Sequence, residues 1–158
     1  MVTSTTRTHA ITATALVPAK PSHVYALIAD YHNGHPHILP KEFSDLVVEK
    51  GGVGRGTIIR FRTSVFGRKQ IFRAAISEPE PGRVLVETDL DTNGAVTKFI
   101  VDRDSASGHS RVTITRELAV RKGLAGKIEL FFSTRLLRRV YARELGLLAA
   151  YVNEHPRL

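Results

Sequence analysis

The chain has 158 residues, 42% of them hydrophobic and 24% charged, which suffices to close one continuous core and leaves no second domain to be expected. Cysteine is absent, which excludes disulfides, thiolate chemistry and cysteine-ligated zinc and fits a reducing compartment. The formal charge of +8 is local: between residues 121 and 143 seven lysines and arginines stand against Glu129 alone, so a partner drawn to that stretch is anionic.

Residues 1–7 read as a polar tail with no apolar segment of the secretory kind. No apolar run approaches the roughly 20 residues of a membrane span, and a cytoplasmic protein is expected. Thr8 to Val17 sets His9, Ile11, Ala13, Ala15 and Val17 in alternation, the mark of a first strand that Pro18 stops. Pro21 and Ser22 then open a short helix in which Val24, Leu27 and Ile28 share one face. Asp30 to Pro40, broken by Gly34, Pro36 and Pro40, holds a loop or a single helical turn.

From Phe43 the period changes to two. Phe43 to Lys50, Thr57 to Val65, Arg68 to Ser77, Val84 to Leu90, Val96 to Asp102 and Arg111 to Ala119 read as six strands joined by short Gly-, Pro- and Asp-rich turns. Short connections predict an antiparallel meander. Contrast between apolar and charged positions suggests the inner face: Thr57, Ile59, Phe61, Thr63 and Val65; Gln70, Phe72, Ala74 and Ile76; Thr97, Phe99 and Val101; Val112, Ile114, Arg116 and Leu118. In Val84 to Leu90 the valines and Thr88 are taken as inward, which turns Glu87 and Asp89 outward.

Gly123 to Asn153 is the one segment long and regular enough for a major helix. At about 100° per residue, Leu137, Val140, Tyr141, Leu145, Leu148, Tyr151 and Val152 share an arc, with Arg135, Arg138, Arg139 and Arg143 opposite. Leu124, Ile128 and Phe131, however, fall at the angle the arginines take later. Either the axis breaks near Ser133-Thr134 or the first turns expose an apolar stripe. The layout is α+β, and a meander this long curls around the helix, a geometry that can leave a ligand-sized gap.

Several words along the chain resemble the START-like, or SRPBCC, helix-grip superfamily, and within it the polyketide cyclase/dehydrase and lipid-transport group. They are Pro21-Ser22-His23-Val24-Tyr25 with Ile28 and Asp30, Ile38-Leu39-Pro40 with Phe43, Gly51-Gly52-Val53-Gly54-Arg55-Gly56-Thr57, Glu78-Pro79-Glu80-Pro81-Gly82-Arg83, and Leu136-Leu137-Arg138-Arg139 before Tyr141 and Glu144-Leu145. The resemblance implies one domain over 8–158, with a seven-stranded curved antiparallel sheet wrapped on a long C-terminal helix and two short helices after the first strand. It also implies a mostly apolar cavity, reached between loops and the short helical pair, for a small hydrophobic ligand such as a lipid, polyketide or polycyclic. Some members catalyse cyclisation or dehydration there. No cofactor is implied.

The residues themselves offer a candidate lining of Phe61, Thr63, Gln70, Phe72, Thr88, Thr97, Phe99, Arg116, Leu136 and Val140. The apolar members fit a filled core equally well, whereas a dry core would leave the inner hydroxyls to be satisfied. Arg116 reads either as a strand-end residue paired with a nearby acid or as a ligand contact, and with Tyr141 it is the candidate for catalysis. His35 and His37 are placed at the cavity rim. With His32 they sit too close to Gly34 and Pro36 for a regular helix to bring two imidazoles together, so no metal site is expected. The Gly51 to Gly56 cluster lacks the lysine and following helix of a phosphate loop. No Ser/His/Asp arrangement can be assembled. Nucleic acid is not an expected partner, since aromatics are not interleaved with basic strands. An anionic membrane surface met by Arg135, Arg138 and Arg139 is a further expectation.

Overall fold

The computed structural model describes residues 7–65, 67–91 and 94–156; the tail expected over 1–7 therefore falls, Arg7 apart, outside the described residues. The elements are β1 (Thr8–Val17), α1 (Pro21–Ala29), a 3-10 turn (His35–His37), β2 (Phe43–Lys50), β3 (Ile58–Val65), β4 (Arg68–Glu80), β5 (Val84–Asp89), β6 (Val96–Arg103), β7 (Ser110–Ala119) and α2 (Gly123–Glu154). All seven strands pair antiparallel in the order β1-β7-β6-β5-β4-β3-β2. The meander thus runs from β2 to β7, and β1 closes onto β7 from Thr8 opposite Ala119 to Val17 opposite Ser110.

Pro21 starts α1 in the first turn, where its missing N–H costs nothing. The second short helix is a single 3-10 turn. Gly34 precedes it because the Leu27 carbonyl oxygen lies 2.2 Å from where a Cβ would stand. Two tyrosines fasten this region to the sheet: Tyr25 donates to Glu78 at 2.7 Å and Tyr31 to Glu87 at 2.7 Å. The glycine cluster before β3 serves the same end, with the Gly52 carbonyl accepting from Tyr31 N–H at 2.8 Å and Gly54 N–H donating to Ala29 at 2.9 Å. At Gly52, φ is 142° and the His32 ring occupies the space of a side chain.

β4 outlasts the turn expected at Glu78. It continues to Glu80, with Pro79 inside a register shift between Ser77 and Glu80, the kind of site where a missing N–H is tolerated. In β5 the expected facing is reversed. Glu87 is paired with Thr97 and Leu85 with Phe99, so Leu85, Glu87 and Asp89 share the inner face with Phe99 and Thr97, and Thr88 lies on the other. Hydropathy cannot set the phase here, because Val84, Leu85 and Val86 are all buried.

α2 is one continuous helix of 32 residues, about 48 Å long, with no break at Ser133-Thr134. Val140, Tyr141, Leu145, Leu148 and Val152 are buried, whereas Leu124, Ile128, Phe131 and Phe132 are exposed. Of the two alternatives read from the angular pattern, the exposed stripe is the one that holds. Ile11, Val17, Leu85, Val101, Val112 and Ile114 of the sheet form one core with Val24, Leu27 and Ile28 of α1 and Leu145, Leu148 and Val152 of α2. That core fills one end of the curved sheet. Towards the other end the same strands and the same helix part around a cavity.

Candidate functional site

Each inner strand passes from core to cavity along its length. Val112 and Ile114 of β7 are core, and Arg116 and Leu118 line the cavity; Val101 of β6 is core, and Thr97 lines the cavity with Phe99 at the junction. On α2 the lining residues are Leu137, Tyr141 and Glu144, one helical stripe at i, i+4, i+7 spacing. The cavity holds about 230 Å³, somewhat below the 300–1,000 Å³ of drug-sized sites, so it suits a compact ligand.

One wall is aromatic. Phe61 meets Phe43 edge-on with centroids 5.8 Å apart and lies nearly parallel to Phe72 at 6.0 Å. The opposite side, where the cavity meets the core, is polar. Arg116 Nη1 donates to Thr97 Oγ1 at 2.9 Å across a directly paired position of β6 and β7. No carboxylate forms an ion pair with Arg116 among the described residues, so its reading as half of a strand-end ion pair is set aside.

Next to it, burial pushes the Tyr141 hydroxyl up to about 12; the Arg116 charge opposes that shift and Glu144 adds to it. Glu144 is 4% exposed. Burial first, and then the Glu87 carboxylate, push its carboxyl well above the usual carboxylate range, which favours the protonated form. Glu87 also takes the Tyr31 hydrogen bond, and burial followed by the Glu87 charge raises that phenol in turn.

His35 completes this end. Its Nδ1 lies 2.7 Å from the Ile28 carbonyl; a carbonyl only accepts, so Nδ1 carries a proton. That leaves Nε2 aimed at Glu87 Oε1, 3.8 Å away. The ring stacks on Tyr31 at 4.4 Å and presents an edge to Phe99 at 5.7 Å. A carboxyl raised by burial, a second carboxyl, an imidazole, a raised phenol and a guanidinium thus converge at one end of an apolar chamber. Such a set can orient an oxygen-bearing ligand and can hold or move protons.

Of the residues read from the sequence, Phe61, Thr63, Gln70, Phe72, Thr97, Phe99, Arg116 and Tyr141 line the cavity. Thr88 does not, for the register reason given above. Leu136 and Val140 do not either, because they stand about 100° around α2 from the Leu137-Tyr141-Glu144 stripe. His35 is no rim residue, since it is 2% exposed and belongs to the deep polar end. His37 lies outside the cavity and stacks on Tyr151 at 4.6 Å. His32 is exposed with Nε2 3.3 Å from the Gly51 carbonyl, so the three loop imidazoles point to separate places. Among the described residues no cluster of three metal-ligating side chains forms.

Glu87 and Asp89 read as outward and instead line the cavity, while Glu144 and Tyr31 were not among the candidate site residues. Glu144 had a signal, since a carboxyl three residues after Tyr141 falls on the buried arc of the helix. Glu87 and Asp89 had one only in cross-strand pairing, which a single strand does not reveal.

Residues 8–153 match the family described as polyketide cyclase / dehydrase and lipid transport. Among solved structures the fold is similar to the KanY protein determined by NMR, with a TM-score of 0.80 and 26% identity over 93% of this chain and 99% of that one. A protein from Thermus thermophilus superposes with a TM-score of 0.76 at 19% identity, covering 93% of this chain and 99% of the other. The Zhui aromatase/cyclase from Streptomyces sp. R1128 does so with a TM-score of 0.76 at 15% identity, covering 96% and 97%. The last two likenesses speak for the fold alone. No curated protein sequence gives a significant match.

Proposed function

The chain belongs to the polyketide cyclase/dehydrase and lipid-transport family, and from that premise we propose that it binds and carries a small hydrophobic ligand, a lipid, polyketide or polycyclic, in the cavity between the sheet and α2. The observation that carries this reading is the division of the cavity into an aromatic wall and a polar end where Arg116 is held by Thr97 and, among the described residues, by no carboxylate. Phe61 and Phe72 give ring surface to a flat or folded apolar body, and Arg116 gives a charged donor to an oxygen at one end of it. Native mass spectrometry of protein purified under mild conditions and then incubated with lipid and polyketide extracts tests the proposal. A retained ligand mass is expected, and a chain that stays at its apo mass throughout counts against it.

A second reading is favoured by one observation, the buried Glu144 beside Glu87, Tyr141 and Arg116. In a cyclase or dehydratase the protonated Glu144 would give its proton to a departing hydroxyl, Glu87 would take a proton from the neighbouring carbon, and water would leave. Arg116 would stabilise the enolate oxygen between these steps. On this reading Arg116→Ala lowers turnover of a poly-β-keto substrate far more than it lowers binding; equal losses in both point back to carriage alone.

A further inference from the structure

The front third of α2 takes no part in the core or the cavity lining. Leu124, Ile128, Phe131 and Phe132 are exposed by 75%, 51%, 56% and 55%. By helical angle they lie off the buried arc of Val140, Tyr141, Leu145 and Leu148, and Arg135, Arg138 and Arg139 continue the same stripe over the next turns, with Lys127 on its flank. Arg121 and Lys122 stand just before the helix; Glu129, the one acid between 121 and 143, is tied to Arg121 at 3.4 Å. The Arg135 guanidinium sits over the Phe131 ring, 5.6 Å from its centroid, so cation and ring are held together. A groove of about 640 Å³ runs between His9 of β1 and α2, lined by Lys127, Leu130, Phe131, Arg135, Arg138 and Arg139.

We propose that this helix front is a docking surface for an anionic phospholipid bilayer. Leu124, Ile128, Phe131 and Phe132 enter the boundary between headgroups and acyl chains, and the collar of Lys127, Arg135, Arg138 and Arg139 meets the headgroup phosphates and carboxylates. The pattern is that of an interfacial amphipathic helix, with apolar side chains at the tip and long cations placed to reach the surface. Among the described residues no helix is long and apolar enough to cross a membrane, so the contact is peripheral. A second copy of the chain is disfavoured as occupant because two faces of the same strong positive charge would meet. Nucleic acid would match the cations and leave the four apolar side chains in water. Docking is independent of what the cavity holds.

Co-sedimentation of the full chain with phosphatidylcholine vesicles, and with vesicles that also contain phosphatidylserine, tests the proposal. Binding is expected to the serine-containing vesicles, to weaken with added salt, and to be much poorer on phosphatidylcholine alone. Changing Arg135, Arg138 and Arg139 to Gln lowers binding by about fivefold for each charge removed. Phe131→Ser with Phe132→Ser lowers it by at least about tenfold. These positions are on the exposed face, and circular dichroism checks that each variant keeps its fold. The proposal is overturned by absence of binding to the anionic vesicles, by equal binding to both compositions, or by variants that bind as the parent does. A parent chain that is a dimer in solution and becomes a monomer on Phe131→Ser would assign the face to a second copy and overturn it as well.

Discussion

Replacing Glu144 by Gln keeps the shape of a buried side chain and removes its titration. In the native fold the Glu144 carboxyl is raised by burial and by the Glu87 carboxylate, from an ordinary value of 4.5. Between that value and the raised one the folded chain holds a proton that the unfolded chain has released. Stability therefore falls as pH rises through this window and levels off once the folded group has also ionised. One proton gives a limiting slope of about 1.4 kcal/mol per pH unit. The Gln variant lacks that fall, so its stability relative to the parent should climb with pH from about 4.5 upward. Urea denaturation of both proteins across a pH series measures the difference, and the other titrating groups, common to both chains, largely cancel. Parallel stability curves would refute the reasoning, because they would mean that Glu144 ionises in the fold as it does in water.

Other substitutions probe single contacts. Tyr31→Phe removes the donor to Glu87 at 2.7 Å and should cost about 1–3 kcal/mol in denaturant unfolding, because a part-buried carboxylate loses its partner. Gly34→Ala pushes a methyl group against the Leu27 carbonyl, which lies 2.2 Å from the new Cβ, and should lower stability by about 1–3 kcal/mol. Arg116→Gln should weaken binding of a ligand bearing an acidic oxygen by about tenfold or more in calorimetric titration, the worth of a charge-assisted hydrogen bond, while a ligand without that oxygen binds as before.

Strand facing was legible wherever charge contrast set the phase. Arg60 and Arg62 flank Phe61, and Lys98 precedes Phe99, so β3 and β6 could be turned correctly from sequence. The same rule failed in β5, where three consecutive buried aliphatics erase the contrast and the acids Glu87 and Asp89 face inward to the cavity. Reading carboxylates as outward is sound for a core and unsound for a polar cavity end, and nothing within Val84 to Asp89 distinguishes the two. On α2 the arc was right and the stripe within it slightly rotated, which brought in Tyr141 while choosing Leu136 and Val140 over Leu137 and Glu144. Whether the phenylalanine faces enclose space or fill it could not be read at all, since both demand the same period; only the spacing of sheet and helix decides it. The anomaly at Leu124, Ile128 and Phe131, by contrast, is legible in the sequence as an angular coincidence with the later arginines.

The central claim is that the space between the sheet and α2 takes the ligand. Ala74 is buried and lines that space, so Ala74→Phe puts a ring where the ligand would lie while leaving the polar end intact. Native mass spectrometry of the parent and this variant, after the same incubation with lipid and polyketide extracts, compares them directly. A ligand mass on the parent and none on the folded variant is the predicted result; both chains at apo mass, or both equally loaded, would contradict the account.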